Sequence, residues 1–169
     1  MINKATSRAT IAALAGGLFL VNASAQAATT TSNLSVTATV TDNCSVSTAP
    51  VAFGSVDVLS GTNYDATGTV SVTCTNGTAW SAAAGLGTGT GATFASRKMS
   101  SGANLLNYSL YTDAGRTTVW GDGSAGTAAV SNSGTGAAQN FSVYGRVPLG
   151  QGAAQTGAYS DTVLVTVTY

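Results

Sequence analysis

A two-residue rhythm of apolar side chains constrains this chain more than any other feature. Near its end Val163, Val165, Val167 and Tyr169 share one face, and near its start Leu34, Val36, Ala38 and Val40 alternate with Ser35, Thr37 and Thr39. A period of two belongs to the β-strand, whose successive side chains point to opposite faces. The same rhythm places Val70, Val72 and Cys74 on one side of residues 69–75, and residues 105–112, 117–121 and 141–147 read as further strands. Asn76-Gly77 is the best short hairpin signal in the chain, so residues 79–86 are expected to return beside 69–75. A short strand around Val51 and Phe53 brings the number to seven or eight, and no helix of useful length is expected. The expectation is an all-β fold with the strand inventory of an immunoglobulin-like sandwich. The Gly/Ser/Thr tracts 85–91 and 131–136 are expected as mobile surface loops, and 123–126 as a tight turn.

Such a sandwich has little to bury. Gly, Ala, Thr and Ser account for 96 of the 169 residues, whereas Leu, Ile, Val and Phe number 33. Disorder would also require a high net charge, and here six bases balance six acids. A folded chain with so thin a core needs a staple or a partner. Catalytic chemistry is short of groups as well. There is no His and no Glu, and the acids are Asp42, Asp57, Asp65, Asp113, Asp122 and Asp161. This excludes Ser-His-Asp and Cys-His triads, a His-ligated zinc and a Glu general acid. Neither Lys4 nor Lys98 follows a Ser by three residues, and the single carboxylate of Gly121-Asp122-Gly123 is too few for a calcium loop. No enzyme, cofactor or metal is expected.

Residues 1–27 have the layout of a signal peptide: Lys4 and Arg8, an apolar run over 11–21, then small residues allowing cleavage after Ala25 or Ala27. Eleven apolar residues cannot cross about 30 Å of hydrocarbon, so membrane insertion is not expected. Cleavage leaves four bases against six acids, a net charge of −2, with no basic patch for nucleic acid. In an exported chain the only two cysteines, Cys44 and Cys74, are expected to form a structural disulfide.

Residues 31–41 precede that disulfide and could extend roughly 36 Å at about 3.3 Å per residue. They could be an ordinary first strand. They could instead leave their own domain and complete the sheet of a neighbour, with Leu34, Val36, Ala38 and Val40 as donor residues. Burying them would contribute roughly 5 to 9 kcal/mol before backbone hydrogen bonds are counted.

The run Leu110-Tyr111-Thr112-Asp113-Ala114-Gly115-Arg116-Thr117-Thr118-Val119-Trp120-Gly121 is joined by Asn107-Tyr108, Val143-Tyr144-Gly145-Arg146 and Gly157-Ala158-Tyr159-Ser160-Asp161-Thr162, which leads into the last strand. Together with Cys44, Phe53-Gly54 and Val72-Thr73-Cys74 they resemble the spore coat protein U domain family, which includes major subunits of archaic chaperone-usher pili. The resemblance implies an incomplete immunoglobulin-like sandwich completed by donor-strand complementation: a signal peptide (1–27), a donor arm (28–43) and a pilin domain (44–169). It implies a periplasmic chaperone, an outer-membrane usher and neighbouring copies of the chain as partners, with the polymer at the cell surface. Val163, Val165, Val167 and Tyr169 would line the acceptor groove, with Val51 and Phe53 as its other wall. The alternative is a secreted coat protein whose arm folds back on its own groove. Arg146 and Asp161 lie in the matched motifs and are expected either to pair or to stand as independent solvated charges. Tyr108, Tyr111, Trp120, Tyr144 and Tyr159 are expected in the core and at its rim.

Overall fold

The computed structural model describes residues 25–169, so residues 1–24, most of the expected signal peptide, lie outside it. The chain divides into two units, Met1–Ala38 and Thr39–Tyr169. In the first, residues 25–38 form neither strand nor helix, and Leu34 and Val36 are 87% and 85% exposed.

The second unit holds eight strands: β1 (Cys44–Ala49), β2 (Tyr64–Cys74), β3 (Ala79–Ala84), β4 (Arg97–Ser101), β5 (Asn104–Tyr111), β6 (Val130–Ser133), β7 (Ala138–Val147) and β8 (Val165–Thr168). They form two antiparallel sheets, ordered β1-β2-β7-β5-β4 and β6-β3-β8. No helix occurs among the described residues. The larger sheet turns Val70, Val72, Leu106, Tyr108, Leu110, Val143 and Val147 inward, while β3 supplies Trp80, Ala82 and Ala84. Alanines on β3 leave room for indoles. Trp120 is sealed between the sheets, its Nε1 donating to the Ala82 carbonyl at 3.1 Å and its ring edge-on to Phe141. Cys44 and Cys74 face each other across the β1–β2 ladder and are joined by the expected disulfide.

Several sequence expectations need correction. Asn76-Gly77 does not make a hairpin. It turns as expected, with Gly77 at φ 88° and the Thr78 N–H donating to the Thr75 carbonyl, but β2 and β3 belong to different sheets. The turn is a corner between layers. Residues 131–136 are not a free loop either: Ser131–Ser133 lie in β6, and Gly134 and Gly136 donate to the Thr78 and Cys74 carbonyls. The segment around Val51 and Phe53 is not a strand; the ladder beside β2 is β1, ending where Pro50 supplies no N–H. Residues 117–121 contribute only the bridges Tyr111↔Val119 and Trp120↔Ala128, and residues 34–40 have no ladder partner. Strands β1, β4 and β6 had no counterpart in the alternation pattern.

Candidate functional site

β1 bonds only to β2, and β8 only to β3, so each has one free edge, and the two strands approach each other at the same side of the sandwich. Between the chain that follows β1 and the chain that leads into β8 lies an apolar cleft of two adjoining hollows. One, of about 400 Å³, is walled by Val51, Phe53, Val163 and Val165 above a floor of Val70, Leu110, Trp120 and Val143. The other, of about 660 Å³, runs between residues 51–58 and 154–159 over Leu106. Val51, Phe53, Met99 and Tyr159 belong to both.

Small residues shape the first wall. β2 and β7 carry Gly68 and Gly145, and a Cβ at Gly145 would stand 2.5 Å from Val51 Cγ1 and 2.8 Å from the Phe53 ring. At Gly68 it would stand 2.7 Å from Val51 Cγ2. The glycines make a dent into which Val51 settles, and Phe53 then packs edge-on to Tyr108 at 6.3 Å between centroids.

The second wall is made by a change of sheet. Ser160 exchanges two backbone hydrogen bonds with Ser100 of β4, on the larger sheet, whereas Leu164 already accepts from the Gly85 N–H and β8 pairs with β3 of the smaller one. Asp161 pins the crossing. Its Oδ1 accepts from the Thr88 N–H and hydroxyl, both at 2.7 Å, and its Oδ2 accepts the Tyr108 hydroxyl at 2.6 Å. Thr88 comes this close because Gly87 has no side chain; a Cβ there would collide with the carboxylate. Burial pushes the Asp161 carboxyl upward, but the hydrogen bonds from Tyr108, Thr88 and the Thr162 N–H outweigh it and leave the pKa below the usual value. Burial and the neighbouring carboxylate push the Tyr108 phenol far up.

Beside this pair Arg97 is fully buried. Its guanidinium donates to the carbonyls of Gly85 at 2.9 Å, Phe94 at 3.1 Å and Trp120 at 2.7 Å. Arg146 and Asp161 neither pair with each other nor stand as independent solvated charges. Arg146 instead grips Asp65 with two hydrogen bonds of 2.8 and 2.9 Å, Arg116 reaches the same carboxylate at 3.2 Å, and Arg116 also lies over the Tyr144 ring. The bond from Arg146 chiefly, and then the charges of both arginines, hold Asp65 below the usual carboxylate range against the opposing effect of burial. β7 pairs with β2, placing Arg146 opposite Asp65, whereas Asp161 follows Ser160, which pairs with Ser100 of β4.

Of the expected groove residues, Val51, Phe53, Val163 and Val165 meet in the cleft. Val167 is half-buried against the core outside it, and Tyr169 is 56% exposed. Met99, Tyr108 and Tyr159 were missed as cleft residues. Met99 follows Arg97-Lys98 in a strand with no apolar alternation, so no local pattern marks it.

A family model described as the spore coat protein U domain matches residues 30–166. The chain belongs to the spore coat protein U domain family. Within it, this member is 34% identical over 160 residues to Protein U of Myxococcus xanthus, covering 86% of this chain and 88% of that one. The spore coat U domain chain also matches a chain of the CsuC–CsuE chaperone-tip adhesion subunit pre-assembly complex, from the archaic chaperone-usher Csu pili of Acinetobacter baumannii. That match has a TM-score of 0.56 at 20% identity, and it covers 78% of this chain and 40% of the other. At that identity the likeness is one of fold, that of an immunoglobulin-like sandwich.

Proposed function

We propose that this protein is a structural subunit of an extracellular pilus, exported through the periplasm and polymerised by donor-strand exchange. The observation that carries the proposal is the pair of free edges, β1 and β8, flanking an apolar cleft in a chain whose residues 34–40 alternate Leu, Val, Ala and Val. A strand laid between those edges would add ladder hydrogen bonds to both while its alternate side chains filled the hollows. The occupant is the 28–43 segment of a second copy, in which residues 28–41 carry no charge that burial would penalise. Leu34, Val36, Ala38 and Val40 are its donor residues, and Val51, Phe53, Val163 and Val165 receive them.

A segment that fits a cleft on an identical molecule makes a heterologous contact that does not close, and so generates a filament. Until the strand arrives, the open edges invite aggregation, which is the work of a periplasmic chaperone to prevent and of an outer-membrane usher to end. Family membership and the likeness to a chain from a chaperone–subunit complex support these partners.

Removing residues 29–41 tests the proposal. The shortened protein should still be held by its chaperone but should form none of the laddered multimers that resist SDS until boiled. Fibres assembled without the segment would refute the donor assignment. A coat protein that complements itself would behave differently, failing to fold once the segment is gone.

A further inference from the structure

One methionine, Met99 of β4, walls both hollows of the cleft. Its side chain is only half-buried, and among the described residues it is the sole sulfur outside the disulfide. A thioether in an open cleft is within reach of small oxidants, and a strand lying over it would shield it.

We propose that Met99 is an oxidation site and that its sulfoxide closes the cleft to an incoming strand, an inference that rests on the strand-accepting role proposed above. The co-reactant is a peroxide. The sulfur lone pair attacks one peroxide oxygen, an S–O bond forms as the O–O bond breaks, and the second oxygen leaves as water when the peroxide is hydrogen peroxide. Sulfur loses two electrons and the peroxide gains them.

The product is a strong hydrogen-bond acceptor that needs water or a donor, and several donors of the cleft are already committed. The Tyr108 hydroxyl is committed to Asp161 at 2.6 Å, and that of Tyr159 to the Gln155 carbonyl at 2.8 Å. The Ser100 N–H is held by the Ser160 carbonyl and the Trp120 indole N–H by that of Ala82. In the open cleft water satisfies the sulfoxide. An apolar strand would expel that water and desolvate a side chain that has turned polar, so the oxidised chain should bind the strand on the order of tenfold more weakly or worse.

The test uses the full mature chain, unfolded and refolded with a fluorescent peptide of residues 30–41, before and after hydrogen peroxide treatment. Mass spectrometry follows the oxygen gained at Met99. The expected result is tenfold or greater weakening after oxidation, recovery with methionine sulfoxide reductase, and a Met99→Leu chain that binds equally with and without peroxide. Unchanged binding by chains shown to carry the sulfoxide, or a Met99 that stays unmodified, overturns the inference and leaves the strand-accepting role standing. Failure of untreated and Met99→Leu chains alike to bind the peptide overturns that role, and this inference with it.

Discussion

Val46 and Val72 face each other across the β1–β2 ladder, yet Val72 is fully buried while Val46 is 42% exposed. Both point to the inner side of the sheet. The difference lies in what stands opposite: Val72 looks onto the packed core, whereas Val46 sits on a strand whose far edge has no neighbour. An inward valine left half in water marks the open edge of β1 beside the cleft, and from it follow the consequences of filling or deforming that cleft.

Placing a charge in the arm should separate assembly from folding. Val36→Asp alters a side chain that is 85% exposed, so the stability of the monomer should change by no more than about 0.5 kcal/mol. SDS-resistant multimers should nevertheless disappear, because an unpaired carboxylate cannot enter an apolar cleft. Undiminished ladders on unboiled gels would count against the donor role.

Gly145→Ala should spoil the cleft from beneath. The new methyl would stand 2.5 Å from Val51 and push it and Phe53 out of the dent, costing about 1 to 3 kcal/mol by overpacking. Urea denaturation should show the loss, and chaperone-released subunits should polymerise more slowly. Full stability in the variant would show that the wall yields freely.

Arg97 should tolerate no replacement. Arg97→Leu leaves the carbonyls of Gly85, Phe94 and Trp120 without donors, a loss on the order of 3 kcal/mol or more. Arg97→Lys should recover little of it, since one ammonium cannot reproduce the planar fork. Equal unfolding midpoints for Lys and Arg would contradict this.

The response to pH follows from Asp161 and Tyr108. Asp161 has a folded pKa below its unfolded value, so its stabilising contribution is complete above about pH 4 and is lost as pH falls through the depressed value. Tyr108 has a raised folded pKa, so its contribution is complete below about pH 10 and fades as the solution becomes more alkaline. With no His or Glu in the chain, the urea midpoint should be flat from pH 5 to 9 and fall outside that range. Dissociation of the polymer between pH 5 and 8 would be incompatible with this.

Reducing the Cys44–Cys74 bond should cost about 3 to 4 kcal/mol, the entropy of a closed loop of some 30 residues. It should also loosen β1, one bank of the cleft, so strand capture should weaken along with global stability. A Cys44→Ala/Cys74→Ala chain with an unchanged denaturation midpoint would exclude a stapling role.

Strands with alternating apolar residues were legible in the sequence, the edge strand β8 among them, and the polar edge strands were not. β2, β5 and β7 each have two ladder neighbours and a core face, and their alternation of Val, Leu, Tyr and Phe shows it. β1, β4 and β6 lie at sheet edges and have few apolar side chains: Cys-Ser-Val-Ser-Thr-Ala, Arg-Lys-Met-Ser-Ser and Val-Ser-Asn-Ser. Backbone hydrogen bonds to a partner hold them, and those leave no mark on side-chain pattern. In the cleft the valines of the last strand were visible for the same local reason. Met99 was hidden behind a buried arginine that reads as a surface charge, and the dent beneath Val51 depends on two glycines 77 positions apart, Gly68 and Gly145.

Alternation and the two cysteines therefore determined which side chains turn inward and where the staple lies, because a strand's period of two belongs to its own backbone. Sheet membership was a different matter. The Asn76-Gly77 turn is as tight as its residues demand, yet β3 crosses to the other layer, since Val72 and Trp80 bury their faces against a common core from opposite sheets. Only the tertiary structure could decide that β1 and β8 each end with a free edge, and that Asp161 partners Tyr108 and Thr88 while Asp65 holds Arg146. The pairing of β8 with β3 and the contacts of Asp161 and Asp65 join residues 50 or more positions apart, for which a one-dimensional pattern has no register.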